Sequence, residues 1–99
     1  PAYDLDELCG KGADREITRS FLTLCSDLIM QLDDFTGAEL ETTLRGACDN
    51  HGFAIRQAFG SLRVAITGRT ATPPLFEIME VMGRQRVVDR LQVALRQVS

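Results

Sequence analysis

Residues 13–33 read ADREITRSFLTLCSDLIMQLD, and this stretch decides the fold. Ile17, Phe21, Leu24, Leu28 and Leu32 recur at steps of three and four, the spacing of one face of an α-helix. Leu22, Cys25 and Ile29 widen that face, so the helix is expected to be covered on two sides. Strand-type alternation is nearly absent along the chain, so neighbouring helices must provide the cover.

Working outward, residues 2–9 carry Tyr3, Leu5 and Leu8 among acids and suit a short helix that Gly10-Lys11-Gly12 ends. Downstream, Thr36 with Glu39 three positions later is a capping box, and Phe35 stands at the staple position. The helix it opens should bury Leu40, Leu44, Ala47 and Cys48 and stop at Gly52. Residues 53–60 read as a brief apolar turn or helix around Phe53, Ile55 and Phe59, closed by Gly60. Ser61 can cap a second short helix, 62–67, that stops at Gly68. Arg69-Thr70-Ala71-Thr72 is a loop by composition. Pro73 at a first helical position opens a helix of about 73–82, with Leu75, Ile78, Met79 and Met82 on one side. After Gly83, a last helix of about 84–97 buries Val87, Leu91, Ala94, Leu95 and Val98. The expectation is an all-α single domain over residues 1–99, a compact bundle of five to seven short helices.

With 99 residues, 44% apolar and 25% charged, the chain fits one globular domain able to bury its own core. No apolar stretch approaches the roughly 18 residues of a membrane span, so no membrane partner is expected. No secretion leader is apparent, and the opening Pro1 suits a processed chain or a piece cut from something larger. Net charge is −3, but it is split. Residues 1–50 hold eleven acids and four bases, giving −7; residues 51–99 hold three acids and seven bases, giving +4. All seven of those bases are arginines, whose planar fork suits phosphates and base edges. The acidic half should face elsewhere while the arginine half meets an anion. Alternatively, these arginines only solvate helix faces and pair with Glu77, Glu80 and Asp89.

Three cysteines, Cys9, Cys25 and Cys48, are odd in number and are expected to be reduced in a cytoplasmic setting. Zinc bound by Cys48, His51, Cys9 and Cys25 lacks the usual close ligand pairs, so no metal site is expected. A Cys48–His51 nucleophile has no orienting acid in reach. Cys25 and Cys48 are read as small buried hydrophobes.

The segments Leu62-Arg63-Val64-Ala65-Ile66-Thr67-Gly68, Thr72-Pro73-Pro74-Leu75-Phe76-Glu77 and Met82-Gly83-Arg84 occur in order, followed by Val88-Asp89-Arg90-Leu91. With Asp34-Phe35-Thr36 upstream, this pattern resembles the C-terminal anticodon-binding region of bacterial-type glutamyl-tRNA synthetases, most strongly over residues 34–97. The resemblance implies an all-α module of a class I aminoacyl-tRNA synthetase that binds and discriminates the tRNA anticodon loop. The parent enzyme would use ATP and magnesium in a catalytic domain outside this chain, which itself carries no catalytic residue and no cofactor. Ser61 stands where the family usually has proline, and Gln85 where glutamate is common. Arg56 is the nearest substitute for a lysine-bearing segment after the third helix.

The resemblance carries base contact onto Arg63, Thr72, Pro73 and Leu75, with Arg69 and Arg56 beside them. The chemistry of these residues suits the role. Single-stranded RNA is read through stacking surfaces and hydrogen bonds to base edges. Arg63 is a permanently charged donor. Thr72-Pro73-Pro74-Leu75 offers flat apolar rings and the apolar Leu75 side chain beside a hydroxyl and a carbonyl acceptor, and leaves Leu75 as the first N–H donor of its turn. Each residue also has an ordinary reading: Thr72 and Pro73 as a helix cap, Arg63 paired with Glu77 or Glu80, and Leu75 or Phe76 as core. Two other functions stay open. One is a helical protein-interaction domain using the acidic N-terminal half. The other is a helix-turn-helix DNA binder at Gly83, ranked third on net charge.

Overall fold

Two helices lie antiparallel and are tied at both ends by arginines. The computed structural model describes residues 4–9, 15–70 and 74–98. These form six helices: α1 Leu5–Cys9, α2 Arg15–Gln31, α3 Gly37–His51, α4 Ile55–Thr67, α5 Leu75–Met82 and α6 Arg84–Val98. The expected all-α architecture is therefore observed, with no strand among the described residues. Arg15, at the start of α2, donates to the Gln97 carbonyl at the end of α6 at 3.1 Å. Arg84, at the start of α6, reaches the end of α2 and donates to the carbonyls of Ile29 at 2.6 Å and Met30 at 3.3 Å. The last carbonyls of a helix have no partner inside it and carry the negative end of its dipole, so a guanidinium there is favourable. Midway along the pair, Gln92 donates to the buried Ser26 hydroxyl at 3.4 Å.

The face that α2 buries is rotated from the expected one. Phe21, Leu22, Cys25 and Ile29 are its centre, together with Thr18 and Ser26. Leu24, Leu28 and Leu32 sit at the margin, and Ile17 is 52% exposed. A two-sided helix has a wide apolar sector, and its midpoint is set by where α6 lies, which local spacing does not encode.

Helix α3 begins as expected, with Thr36 at the N-cap accepting from the Glu39 N–H at 3.2 Å. The reciprocal half of the capping box is not formed, because the Thr36 N–H bonds the Asp34 carbonyl at 3.0 Å. Instead Glu80 of α5 accepts from the Gly37 N–H. A Cβ at Gly37 would lie 3.2 Å from the Phe76 carbonyl oxygen, so the start of α3 sits close against α5. Gly52 ends α3 in the left-handed conformation at φ 73°, as its position suggested.

Residues 55–67 form one helix, not the two short ones the sequence suggested. Gly60 does weaken the middle of a helix, by roughly 0.5–1 kcal/mol. The apolar set Ala58, Leu62, Ala65 and Ile66 runs across it unbroken, however, and is buried. Ser61 is itself buried inside this helix rather than capping a second one. Helix α5 starts at Leu75 with Pro74 as its N-cap residue, two residues later than expected. Burial of Leu8, Phe21, Leu40, Leu62, Met79 and Leu91 joins all six helices in one connected core.

Two predictions follow from this packing. Replacing Arg84 by alanine strands the α2 carbonyls and should cost about 1–3 kcal/mol in urea unfolding, the scale of a charged hydrogen bond. The Arg15→Ala change, at an exposed tie, should cost under about 1 kcal/mol; equal losses would contradict the assignment. The second concerns the thiols. Cys25 and Cys48 are wholly buried, and burial pushes both thiols above the ordinary cysteine range, helped at Cys25 by the neighbouring Cys48 and at Cys48 by Asp49, against which Arg45 acts. A thiol raised in the fold favours the fold while neutral, so stability should be full below about pH 8.5 and fall as pH rises past it. A urea midpoint that stays flat or climbs from pH 7 to 9.5 would contradict this.

Candidate nucleic-acid interface

Helix α4 divides sharply around its circumference. Ala58, Ser61, Leu62, Val64, Ala65 and Ile66 fill one arc and are buried. At about 3.6 residues per turn, Arg56, Gly60, Arg63 and Thr67 fall together on the opposite arc, with Phe59 at its edge. Arg56 and Arg63 are seven residues apart, about 10.5 Å along the axis at about 1.5 Å per residue. Arg56 is exposed and Arg63 half-buried.

The end of α4 is built to aim Arg69. Gly68 turns the chain in the left-handed conformation at φ 75°, and its N–H reaches the Val64 carbonyl at 2.7 Å. A residue with a Cβ is strained there, which accounts for glycine. The Thr67 hydroxyl donates back to the Arg63 carbonyl at 2.7 Å and accepts from the Arg69 N–H at 3.1 Å. One threonine thus binds the helix end to the first residues of the loop, and Arg69 and Thr70 emerge exposed beside it. The Thr-Gly pair in the matched segment has a geometric purpose.

The start of α5 is brought to the same side by aromatic contact. Phe59 and Phe76 meet edge to face, with ring centroids 5.2 Å apart. The Arg45 guanidinium lies 5.4 Å over the Phe59 ring and is held by Glu41 at 2.8 Å. Phe59 is one turn before Arg63, and Phe76 is next to Leu75, so this contact sets the beginning of α5 beside the Arg63 turn. The sequence places Phe59 only in a brief apolar turn or helix and gives Arg45 no role. An arginine four residues after a glutamate on a helix was the available signal for the Arg45–Glu41 pair.

Leu75 needs a correction. Its side chain is 2% exposed and belongs to the core, so it cannot present an apolar face to a base. What it offers is its N–H. The first intrahelical bond of α5 runs from the Ile78 N–H to the Pro74 carbonyl, and Pro74 provides no side-chain cap. The N–H groups of the first turn therefore point out of the helix start. Thr72 and Pro73 lie outside the described residues.

The other expected anion-binding arginines are sorted differently. Arg84 is used at the end of α2 and also stacks over Phe35 at 5.5 Å. That removes the first residue of the supposed recognition helix from base contact, against the helix-turn-helix reading. Glu80 and Asp89 are engaged by Gly37 and Gln85. Arg86 and Arg96 are exposed on α6, which packs on the buried side of α4, so they belong to a different surface. Among the described residues no three His, Cys, Asp or Glu side chains converge as a metal site would require. His51 is exposed and stacks on Phe53, with centroids 6.3 Å apart, and the buried, raised thiol of Cys48 is no nucleophile. No described helix is long and apolar enough to cross a membrane.

The chain is 38% identical over 93 residues to the glutamate–tRNA ligase of Chloroflexus aurantiacus, covering 94% of this chain and 18% of that protein. The glutamate–tRNA ligase of Acidothermus cellulolyticus is 46% identical over 69 residues, covering 69% of this chain and 14% of that protein. That of Dehalococcoides mccartyi is 35% identical over 98 residues, covering 99% and 20%. The chain thus spans about a fifth or less of the length of these relatives. No solved structure matches it. Residues 2–95 match the family described as the anticodon binding domain, and the chain belongs to that family.

Proposed function

We propose that this chain binds and discriminates the anticodon loop of a tRNA as the C-terminal module of a glutamate–tRNA ligase. The observation that carries the reading is the gathering of Arg63, Arg69 and the opening N–H groups of α5 on one side of the molecule. Thr67 and the Phe59–Phe76 contact bring them there. The Arg63 fork donates to a base edge or a phosphate, and Arg69 and Arg56 neutralise backbone charge on either side. The Leu75 N–H meets a base acceptor. Thr72 and Pro73, in the connecting loop, add a hydroxyl and a flat ring. ATP and magnesium chemistry belongs in this proposal to a catalytic domain elsewhere in the parent ligase; this chain positions the tRNA for it. The remaining domains of that ligase and the tRNA are its partners, in the cytoplasm. The name of the relatives and the match of residues 2–95 support the same reading.

Arg63→Ala should weaken binding of a glutamate-tRNA anticodon hairpin by about 1–3 kcal/mol, roughly 5- to 150-fold, with circular dichroism unchanged. Arg96→Ala, on the α6 surface, should change it much less; equal losses would mean diffuse electrostatics. Binding should also weaken steeply between low and physiological salt, because bound phosphates release counterions. Salt-insensitive binding of a protein through the acidic half, without RNA affinity, would favour the interaction-domain alternative.

A further inference from the structure

Gly60 has no reason inside the described molecule to be glycine. Its φ is not in the left-handed region, unlike Gly52, Gly68 and Gly83. A Cβ built on it would meet no described atom within 4 Å, so no neighbouring helix demands its absence. Glycine in a helix interior is nevertheless unfavourable relative to alanine. Gly37 differs in all this, being crowded by the Phe76 backbone. Such a glycine leaves a bare stretch of backbone that another molecule can approach closely, and the side chains around it decide whether one does. The surroundings of Gly60 say which kind of molecule. It lies on the outward arc of α4, one turn after Arg56 and just under one turn before Arg63, with Thr67 further along.

Building on the RNA-binding reading above, we propose that Gly60 is a close-approach position for the sugar-phosphate backbone of the bound RNA. The strand crosses α4 against the bare backbone at Gly60, with its phosphates reaching the guanidinium groups of Arg56 and Arg63 on either side. A methyl group at this position holds the strand away from α4 and lengthens both charged contacts. The contact reads no base, because sugar and phosphate are common to every sequence.

Gly46 supplies the control. It is also inside a helix, without positive φ and with open space where a Cβ would stand, but it lies on α3 and not on the α4 arc that carries Arg56 and Arg63. Gly60→Ala and Gly46→Ala should each raise the thermal midpoint of the 99-residue chain, by about 2–6 °C, through helix propensity. Affinity is then measured by fluorescence anisotropy, extended by NMR titration to millimolar RNA. The probes are a glutamate-tRNA anticodon hairpin and the same stem with scrambled loop bases. Gly60→Ala should weaken both hairpins by the same factor, about tenfold, and reduce the salt dependence. Gly46→Ala should leave both affinities unchanged. Wild-type affinity in a stabilised Gly60→Ala chain overturns this inference and leaves the anticodon reading standing. Loss with the cognate hairpin alone overturns it too, by making the contact a base contact. Absence of binding by the unaltered chain to either hairpin overturns both.

Discussion

Helix α4 is pressed on by α1, α2, α3 and α6, and its buried arc fixes where its outward arc must point. A helix has no freedom to rotate once Leu62, Ala65 and Ile66 are seated in the core, because turning it by one residue would expose them. The arginines of the outward arc are therefore placed by hydrophobic burial on the opposite side of the same helix. Gln57 fastens the first turns by donating to the Cys9 carbonyl at the end of α1, at 3.3 Å. Thr67 and Gly68 fasten the last. Between these anchors the helix is a rigid rod that offers two cations at a fixed separation.

The guanidinium group serves two purposes in this molecule, and place in the fold separates them. At helix ends and over rings, Arg84, Arg15 and Arg45 satisfy carbonyls and aromatic faces. On the outward arc of α4 and past its end, Arg56, Arg63 and Arg69 form a short positive row. A chain of net charge −3 can present such a row because eleven of its fourteen acids lie in residues 1–50, whereas α4 contains none. Anion binding depends on the local field, which is screened within about 8–10 Å at physiological salt, and not on the sum over the chain.

Much of this was legible from residue order. The stops at Gly52 and Gly68 follow from glycine's access to left-handed backbone, and the buried face of α6 follows from Val87, Leu91, Ala94 and Val98. The ordered segments between Leu62 and Arg84 marked the region to which Arg63 and Arg69 belong. What was not legible depends on distant partners. The continuity of α4 through Gly60-Ser61 is enforced by core packing that outweighs a local helix breaker. The Arg84 tie joins positions more than fifty residues apart. Leu75 and Phe76 were both candidates for the core. Only the docking of α5 against α3 and α6 assigns the Leu75 side chain to it, leaving its N–H as the available group.

The central claim is that one side of the molecule, the outward arc of α4 with the loop and helix start that follow, reads a single-stranded RNA loop. Amide chemical-shift mapping of the chain tests it most directly, using a glutamate-tRNA anticodon hairpin beside one with scrambled loop bases. Shifts should concentrate at Arg56–Arg69 and Leu75–Phe76, with those at Leu75 and Phe76 seen only for the cognate loop. Equal shifts from both hairpins, spread over Arg86 and Arg96 on α6, would contradict it and leave only a charged platform.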